Sequence, residues 1–221
     1  MKKKTRRKFS PVRGIINLFV ILAATVSIIP FVLMFLMSTQ NNQTIFAGDI
    51  LSIGNSLAAN FQTILDADYF RALQNSLIVA VSSTVLTVFF GAMAGFGFAK
   101  YNFKHKNLVF QLVLLTMMVP MEVGLVAFVW EMRVLHLSKT FLPLILPNIA
   151  NAFGVFWMTQ YIRDAFPYEL MESGRLDGCT DMGIFLRMVL PIIKPAIFTL
   201  SVIAFLQSWN KYLMPMIMIN D

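Results

Sequence analysis

The sequence predicts an all-α integral membrane protein with five transmembrane helices, and three observations support this prediction. First, 57% of the 221 residues are hydrophobic and only 13% are charged, whereas soluble domains carry about 25% charged residues. Second, charge-free windows reach the length of roughly 20 residues that crosses a 30 Å hydrocarbon core. Third, basic residues are concentrated between alternate windows, which is typical of a multi-pass topology.

The windows place the five spans. The first, residues 14–37, is uncharged over 24 residues, which is too long for the apolar region of a cleavable signal peptide, about 7 to 15 residues. The other spans are predicted at 72–99, 107–130, 140–162 and 190–210. The last window is short, and we expect residues 190–193 to extend the helix while Lys194 reaches the interface.

The positions of Lys and Arg predict a cytoplasmic N-terminus. Fourteen of the 18 basic residues lie in the basic tail 1–13, in residues 100–106 and in residues 163–194, and basic residues are retained on the cytoplasmic side. Residues 38–71 then form an extracellular loop, for which we expect one short helix before the second span. The basic tail has a nucleic-acid interpretation as well, but a topology signal in contact with anionic membrane lipid needs no further partner.

The residue inventory excludes several kinds of chemistry. The single cysteine, Cys179, permits no internal disulfide, and no Cys and His cluster has the spacing of a metal site. No Gly-x-x-x-x-Gly-Lys-Ser/Thr string occurs, so the sequence has no phosphate-binding loop of its own. We therefore predict no cofactor, no metal and no enzymatic activity, and we assign any nucleotide chemistry to a partner.

Three polar residues inside the predicted spans are candidates for a substrate pathway. Glu122 lies beside Pro120, at a depth where a carboxylate costs at least about 2.5 kcal/mol by insertion scales. Asn148 and Asn151 lie one turn apart in the fourth span, which contains two prolines. Prolines should bend or break these helices where protein or a water-filled cavity covers the freed backbone groups. The alternative is that these residues lie near the interface or contact a neighbouring subunit.

In the second span, Gly91 and Gly95 are four residues apart. This spacing lets another helix backbone approach closely. We expect the approaching helix to belong to the same chain, with a homodimer contact as the alternative.

The loop 163–190 contains helix signals of its own. Pro167 suits a first helical position, acidic residues follow it, and Gly178 can end the helix. Thr180 or Asp181 can then cap a second short helix. Two short helices joined by a tight turn, with one apolar and one charged face, indicate docking to a cytoplasmic partner.

This loop resembles the signature of the permease subunits of binding-protein-dependent ABC importers. The family pattern is Glu-Ala-Ala, three residues, Gly, nine residues, Ile, one residue, Leu-Pro. The residues at the same spacing here are Glu172, Ser173, Gly174, Gly178, Met188, Leu190 and Pro191. Small residues replace both alanines, and methionine replaces isoleucine.

The resemblance implies that residues 163–190, called the coupling loop below, insert into a cleft of an ATPase subunit. Glu172 would meet a basic side chain there, Asp177 and Gly178 would set the turn, and Phe185 would belong to the second coupling helix. ATP-driven closure of two ATPase subunits would move the loops as rigid bodies.

Other stretches resemble the carbohydrate-importing branch of this family, of the maltose and multiple-sugar type. These stretches are Asn75-Ser76-Leu77, Ala94 to Lys100, Thr116 to Pro120 and Trp209-Asn210. The resemblance implies half of a sugar pathway in a bacterial plasma (inner) membrane. The implied partners are a dimer of ABC ATPase subunits, a second homologous permease and an extracellular sugar-binding protein.

Permeases of this branch have six spans, whereas the sequence ends at Asp221, just after the fifth predicted span. We therefore expect the sixth helix to be missing, and an inactive truncated fragment is one alternative. The others are a permease for another solute, such as a peptide or an amino acid, and an ion-coupled secondary transporter. No internal repeat supports the secondary transporter.

Overall fold

A computed structural model describes residues 11–219 of the chain, except for the side chains of Pro11, Met121 and Glu122. Over these residues the fold consists of helices and turns without a strand, which confirms the all-α prediction. Most of the predicted basic tail lies outside the described residues.

The helices follow one another with short connections. The first six are α1 (Pro11–Ser38), α2 (Asn42–Phe46), α3 (Leu57–Asp66), α4 (Tyr69–Lys100), α5 (Lys106–Thr116) and α6 (Leu125–Val134). The others are α7 (Leu142–Ile145), α8 (Ala152–Ala165), α9 (Tyr168–Leu176), α10 (Asp181–Ile184), α11 (Leu190–Ile192), α12 (Lys194–Trp209) and α13 (Leu213–Ile219). Two 3-10 turns, Met121–Gly124 and Leu146–Asn148, and a π turn, Phe185–Val189, join some of them.

The chain forms two compact units, of which the first is Met1–Ala72. Beyond α1 the chain folds back on itself, because the side chain of Asn60 donates to the carbonyls of Ser38 at 2.9 Å and Gln40 at 2.8 Å. A Cβ on Gly54 would lie 2.4 Å from the carbonyl oxygen of Thr39, so only glycine fits this contact. The predicted extracellular loop contains two helices, α2 and α3, where the sequence predicts one.

The second unit, Leu73–Asp221, is organised around the crossing of α4 with α8. A Cβ on Gly95 would lie 2.7 Å from the Cβ of Met158, and one on Gly91 would lie 3.2 Å from the backbone of Gly154. The glycines therefore permit close contact between two helices of one chain, as predicted. A buried core surrounds this crossing, and it consists of Ala92, Phe96, Met158, Ile162, Phe166, Met171, Ile184, Phe185, Val189, Ile193, Ala196 and Leu200.

Three helical segments of the described residues are long and apolar enough to cross a membrane: Val12–Ser38, Tyr69–Lys100 and Leu142–Ala165. A fourth span exists if the bent pair Asp181–Ile192 and Lys194–Trp209 is counted as one. The predicted count of five is not confirmed, since the predicted span 107–130 is divided into α5, a 3-10 turn and α6. Pro120 lies at this division, where it removes a backbone donor and crowds the preceding turn.

The expectation that residues 190–193 extend the last span is wrong. The chain bends by 81° between α11 and α12, with Ile193 at φ −88° and ψ 13°. Pro195 lies in the first turn of α12. In a continuous helix its ring would collide with the carbonyl of Pro191, and it has no N–H to bond that carbonyl.

Candidate functional site

The coupling loop begins with α9, and local sequence defines both ends of this helix. Pro167 is extended at φ −60° and ψ 151°, so the helix begins one residue later than predicted. Gly178 has φ +80°, a left-handed conformation that glycine adopts without strain. The N–H of Cys179 donates to the carbonyl of Gly174 at 2.9 Å, and the N–H of Gly178 donates to that of Arg175 at 3.0 Å. These two bonds form the Schellman motif, which satisfies the last carbonyls of α9.

The second helical stretch of the loop begins at Thr180. Its Oγ1 accepts a hydrogen bond from the N–H of Gly183 at 3.1 Å, so of the two predicted caps the structure uses the threonine. The stretch continues through the π turn, which places Phe185 and Val189 in the core. It ends at the 81° bend before α12.

Phe185 attaches the coupling loop to α4. Its ring stacks on that of Phe96 with a centroid distance of 5.8 Å and an interplanar angle of 26°. Phe166, at the start of the loop, contacts Phe96 edge to face at 6.4 Å. These ring contacts join the coupling loop to α4 in a closely packed interior.

The structure divides the predicted coupling residues by their exposure. The exposed ones are Glu172, Ser173, Asp177, Gly178 and Pro191; Gly174 and Phe185 are buried, and Leu190 is half-buried. The exposed residues are available to a partner protein, and the buried ones maintain the shape of the loop.

One interaction that was not predicted from the sequence joins the two helical stretches of the coupling loop to Tyr101, the residue after α4. Arg175 donates to one carboxylate oxygen of Asp181 from Nε at 3.1 Å and from Nη2 at 3.0 Å. The same guanidinium lies 5.7 Å from the ring centroid of Tyr101, within the range of a cation–π interaction. Burial first, and then the Asp181 carboxylate, raise the pKa of Tyr101. An Arg and an Asp six residues apart across a predicted turn were the signal that could have indicated this pair.

An apolar face of the loop was predicted from the sequence, but Leu176 was not selected as part of it. Leu176, the last residue of α9, is 89% exposed. Leu170 is exposed as well, although the helical spacing places it on the same face as Met171, which is buried. Large apolar groups grouped on an exposed segment indicate a contact with another protein.

A cavity of about 540 Å³ lies in the second unit, and it is called the polar cavity below because polar side chains interrupt its otherwise apolar lining. It is lined by Thr116, Met117, Val119, Pro147, Asn148, Ala150, Asn151, Ala152, Phe153, Gln207 and Lys211. The break in the predicted fourth span creates part of this lining, since the 3-10 turn ends at Asn148 and α8 begins at Ala152. The structure therefore brings two of the three predicted pathway residues, Asn148 and Asn151, to one cavity.

Asn148 is a hydrogen-bonding junction. Thr87 Oγ1 on α4 donates to its carbonyl at 2.8 Å, and its amide nitrogen donates to Ser83 Oγ at 3.2 Å and to the carbonyl of Leu144 at 2.6 Å. Its side-chain oxygen accepts from Lys211 Nζ at 3.0 Å. Asn148 thus links α4, α7 and the segment after α12.

Asn151 begins α8 as its N-cap residue. Its side-chain oxygen accepts from the N–H of Gly154 at 2.7 Å, which satisfies one free donor of the first helical turn. Its amide nitrogen makes no hydrogen bond within the described part of the chain. The side chain of the third predicted pathway residue, Glu122, lies outside the described residues.

Lys211 is a cavity residue that the sequence analysis did not select. It also lines a second, smaller cavity of about 80 Å³ together with Asn75, Ser76 and Trp209. These three residues belong to the stretches that resemble the carbohydrate-importing branch, and they come together although about 130 positions separate the first two from the third.

Comparisons with known proteins agree with this geometry. Residues 87–221, more than half of the chain, match the family described as "Binding-protein-dependent transport system inner membrane component". The arabinooligosaccharides transport system permease protein AraQ of Bacillus subtilis (strain 168) is 41% identical over 69% of this chain and 54% of its own length. The lactose transport system permease protein LacG of Rhizobium radiobacter is 32% identical over 90% of this chain and 73% of its own length.

A solved structure shares the fold. It is the crystal structure of a bacterial ABC transporter involved in the import of the acidic polysaccharide alginate, with a TM-score of 0.80. The match covers 99% of this chain and 78% of that chain at 22% identity, so the likeness concerns the fold alone.

The chain belongs to the family of inner membrane components of binding-protein-dependent transport systems. It spans about half the length of AraQ.

Proposed function

We propose that the chain is the membrane-spanning permease subunit of an ATP-driven carbohydrate uptake system. In this proposal it forms half of the translocation pathway, and a homologous permease forms the other half. ATP hydrolysis takes place in two separate ATPase subunits, and an extracellular binding protein delivers the solute. The relatives named for arabinooligosaccharide and lactose transport support carbohydrate as the solute class.

The observation that carries the proposal is the two-sided coupling loop. Its outer face presents Glu172, Asp177 and the 89% exposed Leu176. Its inner face is fixed by Phe185 to Phe96 of α4. A segment that is exposed on one side and packed into the helical core on the other is suited to transmit a partner's movement to the pathway.

A pull-down experiment tests the contact with the ATPase subunit. Glu172→Lys reverses a charge on the exposed face and should release the ATPase subunit from the detergent-solubilised complex, while Gly178→Asp should do so by altering the turn. Asp66→Lys, a charge reversal in the first unit, is the matched control and should leave co-purification unchanged. If both loop variants retain the ATPase subunit at the level of the control, the coupling role is wrong.

The orientation has its own test. The coupling loop is proposed to face the cytoplasm together with the N-terminus, in a multi-pass protein of the bacterial plasma membrane. In a Cys179→Ser background expressed without the ATPase subunit, which would cover this site, Leu176→Cys should react with a membrane-impermeant maleimide in inside-out vesicles but not in intact cells. Ser52→Cys, on the predicted extracellular loop, should show the opposite pattern, and the reverse outcome for both would overturn the orientation.

A further inference from the structure

The polar cavity has an uneven distribution of charge. Its described lining contains the amide groups of Asn148, Asn151 and Gln207, a hydroxyl from Thr116 and the ammonium group of Lys211. No carboxylate is found among the lining residues that the structure describes. The side chain of Glu122 is not part of that description.

Lys211 lines the cavity and has N–H donors that the described residues do not use. An ammonium group has three donors, and within the described residues Lys211 Nζ donates only to Asn148, at 3.0 Å. Burial lowers the pKa of Lys211, which follows α12 by two residues. A cation that has lost part of its water gains most from an anionic partner, because water competes less for the charge.

The other lining groups suit a polyhydroxyl molecule. The amide nitrogen of Asn151 and the exposed amide of Gln207 offer donors and acceptors for hydroxyl groups. The ring of Phe153 adds an apolar surface to the lining. The volume of about 540 Å³ falls within the range of about 300 to 1,000 Å³ that is usual for small-molecule sites.

We propose that Lys211 is the charge-selecting residue of this cavity, and that the cavity takes a polyhydroxyl solute carrying a carboxylate or a phosphate group. The inference rests on the proposed function, since it treats the cavity as part of a solute pathway. Lys211 contacts the anionic group, Asn151 and Gln207 contact hydroxyls, and Asn148 holds the ammonium group in place.

Cysteine labelling with charged reagents tests the selection without knowledge of the natural solute. In the purified transporter with Cys179→Ser, the reporter is Ala150→Cys, a small exposed lining residue. The anionic sulfonatoethyl methanethiosulfonate should react faster than the cationic trimethylammonioethyl reagent, by about tenfold as charge-lined clefts allow. Lys211→Gln should bring the ratio close to that of Asn55→Cys, an exposed site of the first unit that is not among the lining residues, and Lys211→Arg should preserve it.

Protection of the same cysteine identifies the anionic group. Glucuronate and glucose 6-phosphate should slow the labelling of Ala150→Cys more than glucose does, and the more effective of the two anions distinguishes a carboxylate from a phosphate site. The proposal is overturned if glucose protects equally well, or if Lys211→Gln leaves the reagent ratio unchanged. Retention of the ATPase subunit by both Glu172→Lys and Gly178→Asp, in contrast, would contradict the proposed function without affecting the labelling ratio.

Discussion

Gly174, which is buried, and Met188, which is half-buried, both depart from the family pattern of the coupling loop and lie against each other. A Cβ on Gly174 would lie 2.9 Å from Met188 Sδ and 3.2 Å from a side-chain carbon of Ile184. The family has alanine at the first position and isoleucine at the second. The glycine therefore leaves the space that the longer methionine fills, and the two substitutions compensate each other.

A double-mutant cycle tests this compensation. Gly174→Ala alone should change stability little, because a gain of up to about 1 kcal/mol in helix propensity is offset by the displaced thioether. Combined with Met188→Ile, the alanine should be clearly stabilising, with a coupling of about 0.5 to 3 kcal/mol for residues in contact. Thermal denaturation of the purified subunit measures each variant, and strictly additive effects would contradict the compensation.

The guanidinium of Arg175 links α9 to Asp181, the first residue of α10, and to Tyr101, the residue after α4. Arg175→Gln should lose the paired hydrogen bonds to Asp181 and the contact with the Tyr101 ring. Amide hydrogen exchange in the turn between α9 and α10 should become faster, because these contacts restrict its opening. Arg187→Gln, at an exposed arginine of the same loop, is the control, and equal exchange in both variants would show that the Arg175 contacts do not restrain the turn.

At the scale of elements, the crossing of α4 and α8 depends on glycines at the contact. Gly95 leaves no room for a Cβ, since the backbone nitrogen of Thr159 would lie 2.9 Å from it. Gly97, two residues later on α4, has no atom within 4 Å of such a Cβ. A Gly→Ala substitution at each position therefore distinguishes the effect of packing on stability from the effect of helix propensity.

Gly95→Ala and Gly97→Ala should act in opposite directions. The first should destabilise the protein by about 1 to 3 kcal/mol, which is typical of overpacking against a neighbouring backbone. The second should stabilise α4 by up to about 1 kcal/mol. Thermal unfolding followed by circular dichroism measures both, and a similar loss of stability at the two positions would show that the crossing does not limit the substitution.

Across the second unit, one continuous core joins the coupling loop to α4, α8 and α12. Phe185 contributes to this core from the loop, and Phe96 contributes from α4. The indole N–H of Trp157 on α8 donates to the carbonyl of Ala196 at 3.3 Å, just beyond the bend that begins α12. The coupling loop is therefore connected through this core to helices that line the polar cavity.

Removal of the ring contact between Phe185 and Phe96 should leave binding of the ATPase subunit intact while weakening the coupling of ATP hydrolysis to the solute. Phe185→Leu should retain the ATPase subunit, since the exposed face of the loop is unchanged, but should reduce solute-stimulated ATP hydrolysis. Phe198→Leu, at a 72% exposed phenylalanine of α12, is the control and should leave stimulation intact. Full stimulation in the Phe185 variant, measured in the reconstituted transporter, would show that the ring contact with α4 does not transmit movement.

Much of this architecture follows from local sequence. The apolar windows determine an all-helical membrane protein, because the lipid core requires long uncharged helices with internally satisfied backbones. In the coupling loop, Pro167, Gly178 and Thr180 begin or end helices through interactions within a single turn. The structure places these helix ends within one residue of the prediction.

Only the tertiary structure decided which distant residues meet. Lys211 and Asn148 are 63 positions apart, and Arg175 approaches Tyr101 only after the loop packs against α4. Helices and turns can be predicted from local sequence because they form through interactions between residues a few positions apart. A cavity and its charge arise instead from contacts between helices that are distant in the sequence, and the periodicity of apolar residues does not show which helices meet.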